Sequence, residues 1–261
     1  MASGANALRS NTTGINNTAT GLNALSSNTI GSSNTANGVI ALSANTIGNN
    51  NTANGFFALS SNTSGNGNTA SGVDALRSNT TGNDNTASGL QALYTNTTGF
   101  SNTATGRDAL SLNTTGSRNT ANGVSALNLN TIGSDNTANG VGALFSNSTG
   151  SFNTANGESA LYANTTGVEN TASGVLALSS NTTGSFNTAN GANALFCATG
   201  GGNGLRKECV GLNGIGSTST ASGEQVLLFS TATGDLDAAD GLGIFANTTG
   251  SGNTANGESA L

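Results

Sequence analysis

The chain has no proline, no histidine and no tryptophan, only two cysteines and one methionine, and charged residues at just 7% of its 261 positions. Without histidine, and with so few cysteines, the side chains most used for general acid–base work and transition-metal binding are nearly missing. An ordinary metal- or histidine-dependent enzyme is therefore not expected, and neither a catalytic residue nor a cofactor or metal site can be nominated. Lysine and arginine together number six against twelve acidic residues, too few cations to release counterions from a phosphate backbone, so nucleic acid is not an expected partner. No apolar run approaches eighteen residues, so membrane insertion is not expected either. The opening Met1-Ala-Ser-Gly-Ala-Asn6 shows neither the basic nor the apolar region of a secretory signal. Aromatics make up 4%, too little bulk for a conventional globular core.

What remains is glycine, asparagine, threonine, serine and alanine in a strict order. Leu8, Leu25, Leu42, Leu59, Leu76 and Leu93 recur every 17 residues, and the series continues without insertion to Leu195. Written from the preceding glycine, the unit is G-x-x-A-L-x-x-N-T-[TI]-G-x-x-N-T-A-[NST]. Seventeen residues are too few for a helical-hairpin repeat or a propeller blade. The composition is poor in helix formers, and the apolar positions show no 3.6-residue period. Short strands separated by Asn/Gly corners fit instead, since Gly and Asn tolerate left-handed backbone. The expected fold is all-β, a parallel β-solenoid with one rung per 17-residue unit. The regular solenoid is read over 1–195, irregular rungs with an extruded loop over 196–244, and a terminal regular rung over 245–261.

In such a stack, rungs lie about 4.8 Å apart and each residue sits over its copy. Leucine on leucine and alanine on alanine fill a thin core. Asparagine over asparagine lets each amide donate to the next carbonyl, so Asn11, Asn28 and Asn45 form one expected ladder, and Asn17, Asn34 and Asn51 a second. Like charges one rung apart would repel, and Asp74, Asp84, Arg107, Arg118, Asp135, Glu158 and Glu169 accordingly fall only at variable positions.

Units such as Asn85-Thr-Ala-Ser-Gly-Leu-Gln-Ala-Leu-Tyr-Thr-Asn-Thr-Thr-Gly99 closely resemble the N-T-A-x-G-Y-x-A-L-x-x-N-T-T-G repeats of phage tail-fibre-like and bacterial surface proteins. More distantly, they resemble the parallel β-roll heads of trimeric autotransporter adhesins. The resemblance covers residues 2–195 and again 245–261. It implies a stacked β fibre at the cell or virion surface, usually a trimer in that family, and carries over no catalytic residue. This chain departs from the pattern by having Asn, Ser or Thr where the family often has Val, and mainly Val or Leu in place of the Tyr.

Past Phe196 the step fails. Cys197 and Cys209 bracket an insertion that includes Arg206-Lys207-Glu208, which is read as a solvated loop tip. A disulfide stapling that loop and two reduced thiols are both open readings. One residue is gained between Leu227 and Gly234, and one is lost in the rung that starts at Gly241. Asp235, Asp237 and Asp240 are the only carboxylate cluster, read as an ordinary acidic loop, with weak Ca²⁺ binding as the competing reading. The Asn-x-Thr sequons at Asn11, Asn79, Asn96, Asn113, Asn164, Asn181 and Asn247 follow from the ladder itself, and an inward Asn could carry no glycan.

The leading functional expectation is a structural or adhesive extracellular fibre. The alternative is ice binding by a strip made of Thr18 and Thr20, Thr35 and Asn37, Thr69 and Ser71, outward if the alanine between each pair points inward. A polysaccharide lyase or hydrolase on a solenoid scaffold is a third reading, and it needs clustered carboxylates. The expected partner is the chain itself, as an end-to-end filament or a homo-oligomer such as the trimer, with a surface glycan or ice as outside ligands. End-to-end stacking is expected because Met1–Gly4 leads straight into a rung and Gly257–Leu261 stops partway through one.

Overall fold

A computed structural model describes residues 1–194 in full, together with the backbone of Ser217–Ser222, Val226–Ser230, Asp235–Asp240, Gly243–Asn247 and Asn253–Asn256. It resolves into two compact units, Met1–Ile132 and Gly133–Leu261, a division that the unbroken repeat does not mark. Both are parallel β-solenoids, and no helix occurs among the described residues.

In the first unit each rung contributes one short strand. These are β1 (Ala2–Ser3), β2 (Thr18–Thr20), β3 (Thr35–Asn37), β4 (Thr52–Asn54), β5 (Thr69–Ser71), β6 (Thr86–Ser88), β7 (Thr103–Thr105) and β8 (Thr120–Asn122). They pair in parallel with a register of 17, so Thr18 faces Thr35 and Ala19 faces Ala36, and the same step runs on to β8. A strand of three residues is what the sequence permits. The glycine that follows each one has φ between +126° and +143°, a region closed to residues with a Cβ. A Cβ on Gly21 would also stand 2.5 Å from the carbonyl oxygen of Gly38 in the next rung.

The other sides of the rung are turns, and here positive φ is not confined to the Asn and Gly expected at the corners. Besides the strand-ending glycines, the left-handed residues are the core leucines, such as Leu25 (φ 51°) and Leu93 (φ 53°), and two variable positions per rung. Those variable positions hold Ile40 and Phe57 as readily as Asn23 or Asn16. The Asn residues of the two ladders are not left-handed; they are fixed by hydrogen bonding. Leucine tolerates a conformation costing ~1–2 kcal/mol because its side chain is wholly buried. Successive rungs stay bonded through these turns too, with Leu25 N donating to Ala41 O at 3.0 Å and Asn23 N donating to Ala5 O at 2.9 Å.

The core is three columns thick. Taking the rungs of the first unit, Ala19, Ala24, Leu25 and their copies to Ala121, Ala126 and Leu127 are all fully buried. Burying one leucine side chain contributes about 1.5–3 kcal/mol, and close contact between like shapes excludes voids. Leu8, in the first rung, is half-buried.

The second unit repeats this plan in β9 (Thr137–Asn139), β10 (Thr154–Asn156), β11 (Thr171–Ser173) and β12 (Asn187–Asn190). Its backbone continues in β13 (Ser217–Ser222), β14 (Val226–Ser230), β15 (Asp235–Asp240), β16 (Gly243–Asn247) and β17 (Asn253–Asn256). There the register slips: Ser219 pairs Asp237, a step of 18, and Asp237 pairs Asn253, a step of 16. Strands β14 and β16 form a separate parallel pair with a step of 17. The parallel sheet therefore survives the gain and loss of single residues between paired strands.

Candidate functional surface

The two asparagine ladders are internal, and each is satisfied in its own way. In the first, Nδ2 of Asn28 donates to Oδ1 of Asn11 at 2.7 Å, and Asn45 donates to Asn28 at 2.8 Å. In the second, the backbone N–H of Asn34 donates to Oδ1 of Asn17 at 2.9 Å, and that of Asn51 to Asn34 at 3.0 Å. The ladders meet on one oxygen: the Gly31 carbonyl accepts from Asn28 Nδ2 at 2.9 Å and from Asn17 Nδ2 at 2.7 Å. Gly31 must lack a side chain, since a Cβ would stand 2.5 Å from Asn28 Oδ1. Asn28, Asn34, Asn45 and Asn51 are fully buried, Asn17 nearly so and Asn11 half-buried. Buried amides with all their partners rigidify the stack; with a partner missing they would destabilise it.

This placement bears on the sequons. Asn79, Asn96, Asn113, Asn164 and Asn181 have no accessible surface, so none can carry a glycan in the folded chain; Asn247 lies outside the residues whose side chains are described. Asn181 is the last member of its ladder among the described residues. Its Oδ1 is buried and has no hydrogen-bond partner among the described residues, and one step further along the sequence stands Ala198 instead of asparagine.

A third ladder escaped sequence reasoning. The first threonine of each Asn-Thr-[Thr/Ile] donates its hydroxyl to the carbonyl of its copy in the next rung: Thr29 to Thr46 at 2.9 Å, Thr46 to Thr63 at 3.0 Å, Thr80 to Thr97 at 3.0 Å. The near-invariance of this position was the available signal, but it does not tell a bonded hydroxyl from a merely tolerated one.

The strands present the opposite arrangement. Thr18, Thr20, Thr35, Asn37, Thr69 and Ser71 are all exposed, and the alanine between each pair is buried. Their neighbours in β4, β6, β7 and β8 alternate in the same sense. The structure thus brings the six strip residues onto one face of the first unit, in register. No charged residue stands in either column of that face from β2 to β8.

Next to the strip, just past the strand-ending glycine, runs an apolar ridge in which Leu22, Phe56, Val73 and Leu90 are each 44–48% exposed. Arg107 follows in the same column. On the adjoining turn the Arg77 guanidinium lies 4.5 Å from the centre of the Phe57 ring and 3.1 Å from Asp74. In the second unit Phe145 and Tyr162 stack with ring centres 5.0 Å apart. Both clusters join rungs to one another.

Among the described residues, no group of three or more Cys, Asp or Glu side chains comes together to hold a metal ion, and no helix is long and apolar enough to cross a membrane. Cys197, Cys209 and the Arg206–Glu208 segment lie outside the described residues. Asp235, Asp237 and Asp240 are placed only as backbone in β15. Comparison with protein families, curated proteins and solved structures finds no match to this chain.

Proposed function

We propose that the chain is a rod-forming segment of an extracellular or surface fibre, in which the stacked rungs are themselves the product. The observation that carries this reading is where the polar chemistry goes. Three near-constant polar columns, the two asparagine ladders and the inner threonine column, are spent on holding each rung to the next. A repeat that gives three such columns to stacking is built for length and stiffness, and the resemblance to tail-fibre-like and surface repeats points the same way. The lyase or hydrolase reading calls for clustered carboxylates, and among the described residues no three or more Cys, Asp or Glu side chains come together.

Self-association fits this role by the same physics, since a rung edge carries N–H and C=O groups that another copy's rung can pair. A surface glycan remains the natural outside partner of an adhesive fibre. Electron microscopy of the purified chain tests the proposal. Thin unbranched rods, with a mass per unit length corresponding to a whole number of 17-residue rungs in each ~4.8 Å of rise, are the expected result. Compact particles without an axis would overturn it.

A further inference from the structure

We propose that the strand face of the first unit binds ice, a role distinct from the fibre reading and independent of it. Two threonine columns of one repeat meet different fates. The inner column, Thr29, Thr46, Thr63, Thr80 and Thr97, donates each hydroxyl to a carbonyl one rung on. The outer column, Thr18, Thr35, Thr52, Thr69, Thr86, Thr103 and Thr120, is threonine in every rung from β2 to β8. Its hydroxyls have no hydrogen-bond partner among the described residues. Stacking therefore accounts for the first column and leaves the second unexplained.

The geometry narrows the ligand. Parallel in-register pairing places the outer threonines about 4.8 Å apart along the stack, and the second column about 6.6 Å away across the strand. Thr20, Asn37, Asn54, Ser71, Ser88, Thr105 and Asn122 occupy that second column, all of them exposed. The result is a two-dimensional array of hydroxyls, amides and threonine methyls. Such repeats are of the same order as the oxygen–oxygen repeats on the faces of hexagonal ice.

The array is uncharged, although the same unit admits Asp74, Asp84, Arg107 and Arg118 on its other sides. A charged group would hold its own hydration shell against an ordered water layer. A soluble ligand would need a pocket, an aromatic platform or a charge partner, and the strip offers none of these. Crystalline water needs only a rigid surface with matching translation, where many weak contacts add. The strip is preorganised for that. Its strands are bonded on both sides, its alanines are locked in the core, and the β-branched threonines are stiff at χ1, so little entropy is lost on binding.

Thermal hysteresis and ice-crystal shaping by the full chain provide the test, with Thr69→Lys and Thr86→Lys on the strip and Thr98→Lys as control. Thr98 is exposed but lies in a different column. The expected result is faceted ice growth and measurable hysteresis for the unaltered chain and the control, abolished in both strip variants while their circular dichroism is unchanged. Absence of both effects in the unaltered chain at high concentration overturns the proposal, whatever the variants do. Undiminished activity in the correctly folded strip variants overturns it equally.

Discussion

Two threonines six positions apart in the same rung, Thr80 and Thr86, show how a repeat divides its residues between holding itself together and facing outward. Thr80 sits on a turn side, half-buried, and its hydroxyl donates to Thr97 O at 3.0 Å. Thr86 opens strand β6 and is exposed; its backbone N–H donates to Asn102 O at 2.8 Å, but its hydroxyl has no hydrogen-bond partner among the described residues. Both columns are nearly constant along the chain, so constancy alone does not separate a structural residue from a presented one. The hydrogen-bond partner does, and that partner is set by whether the local backbone is turn or strand.

The most damaging way to break the comparison is to remove the platform beneath both columns. Leu93→Asp buries an uncompensated charge in a column with no accessible surface, and should unfold the rungs around it. Denaturation monitored by circular dichroism is expected to show a large fall in stability; an unchanged midpoint would contradict an inward leucine.

Asn79→Ala should come next. Asn79 Nδ2 donates to Asn62 Oδ1 at 2.8 Å and to Gly82 O at 3.0 Å, while its own Oδ1 accepts from Asn96 at 2.8 Å. Losing the amide leaves buried groups short of a partner in its own rung and in both neighbours, for a cost of about 3 kcal/mol or more. Chemical denaturation measures it directly.

The comparison itself is sharpened by a pair of matched substitutions. Thr80→Val removes a bonded hydroxyl and should cost about 1 kcal/mol. Ile40→Asn is expected to be smaller and of opposite sign, a gain of about 0.5 kcal/mol, because Ile40 is β-branched at φ 61° where Asn is better tolerated. Thr86→Val should change stability least, within about 0.5 kcal/mol, since no protein partner is lost.

Much of this was legible in the sequence because stacking turns a period into a geometry. A 17-residue step that keeps Leu25, Leu42 and Leu59 in phase leaves few folds other than a parallel coil. Buried amide ladders follow once the asparagines are known to stack. What the sequence did not disclose are features that depend on backbone conformation within the rung. Nothing in the letters tells that Leu93, rather than an asparagine, takes the left-handed turn. Nor do they tell that the second ladder uses the backbone N–H of Asn34 as its donor. The threonine columns were ambiguous for the same reason: Asn-Thr-Thr and Asn-Thr-Ala differ by one residue, yet one threonine lies on a turn and the other on a strand. The division at Ile132 has no sequence signal at all, because the repeat crosses it without a change in step.

The central claim is that each 17-residue unit is one turn of a coil stacked in register on its copies. X-ray diffraction from aligned, concentrated specimens tests it most directly. Stacked rungs should give a sharp reflection along the alignment axis at a spacing of about 4.8 Å, the separation of paired strands. A pattern with that reflection absent, or with the ~5.4 Å pitch of an α-helix in its place, would contradict the stacked rung and every column built on it.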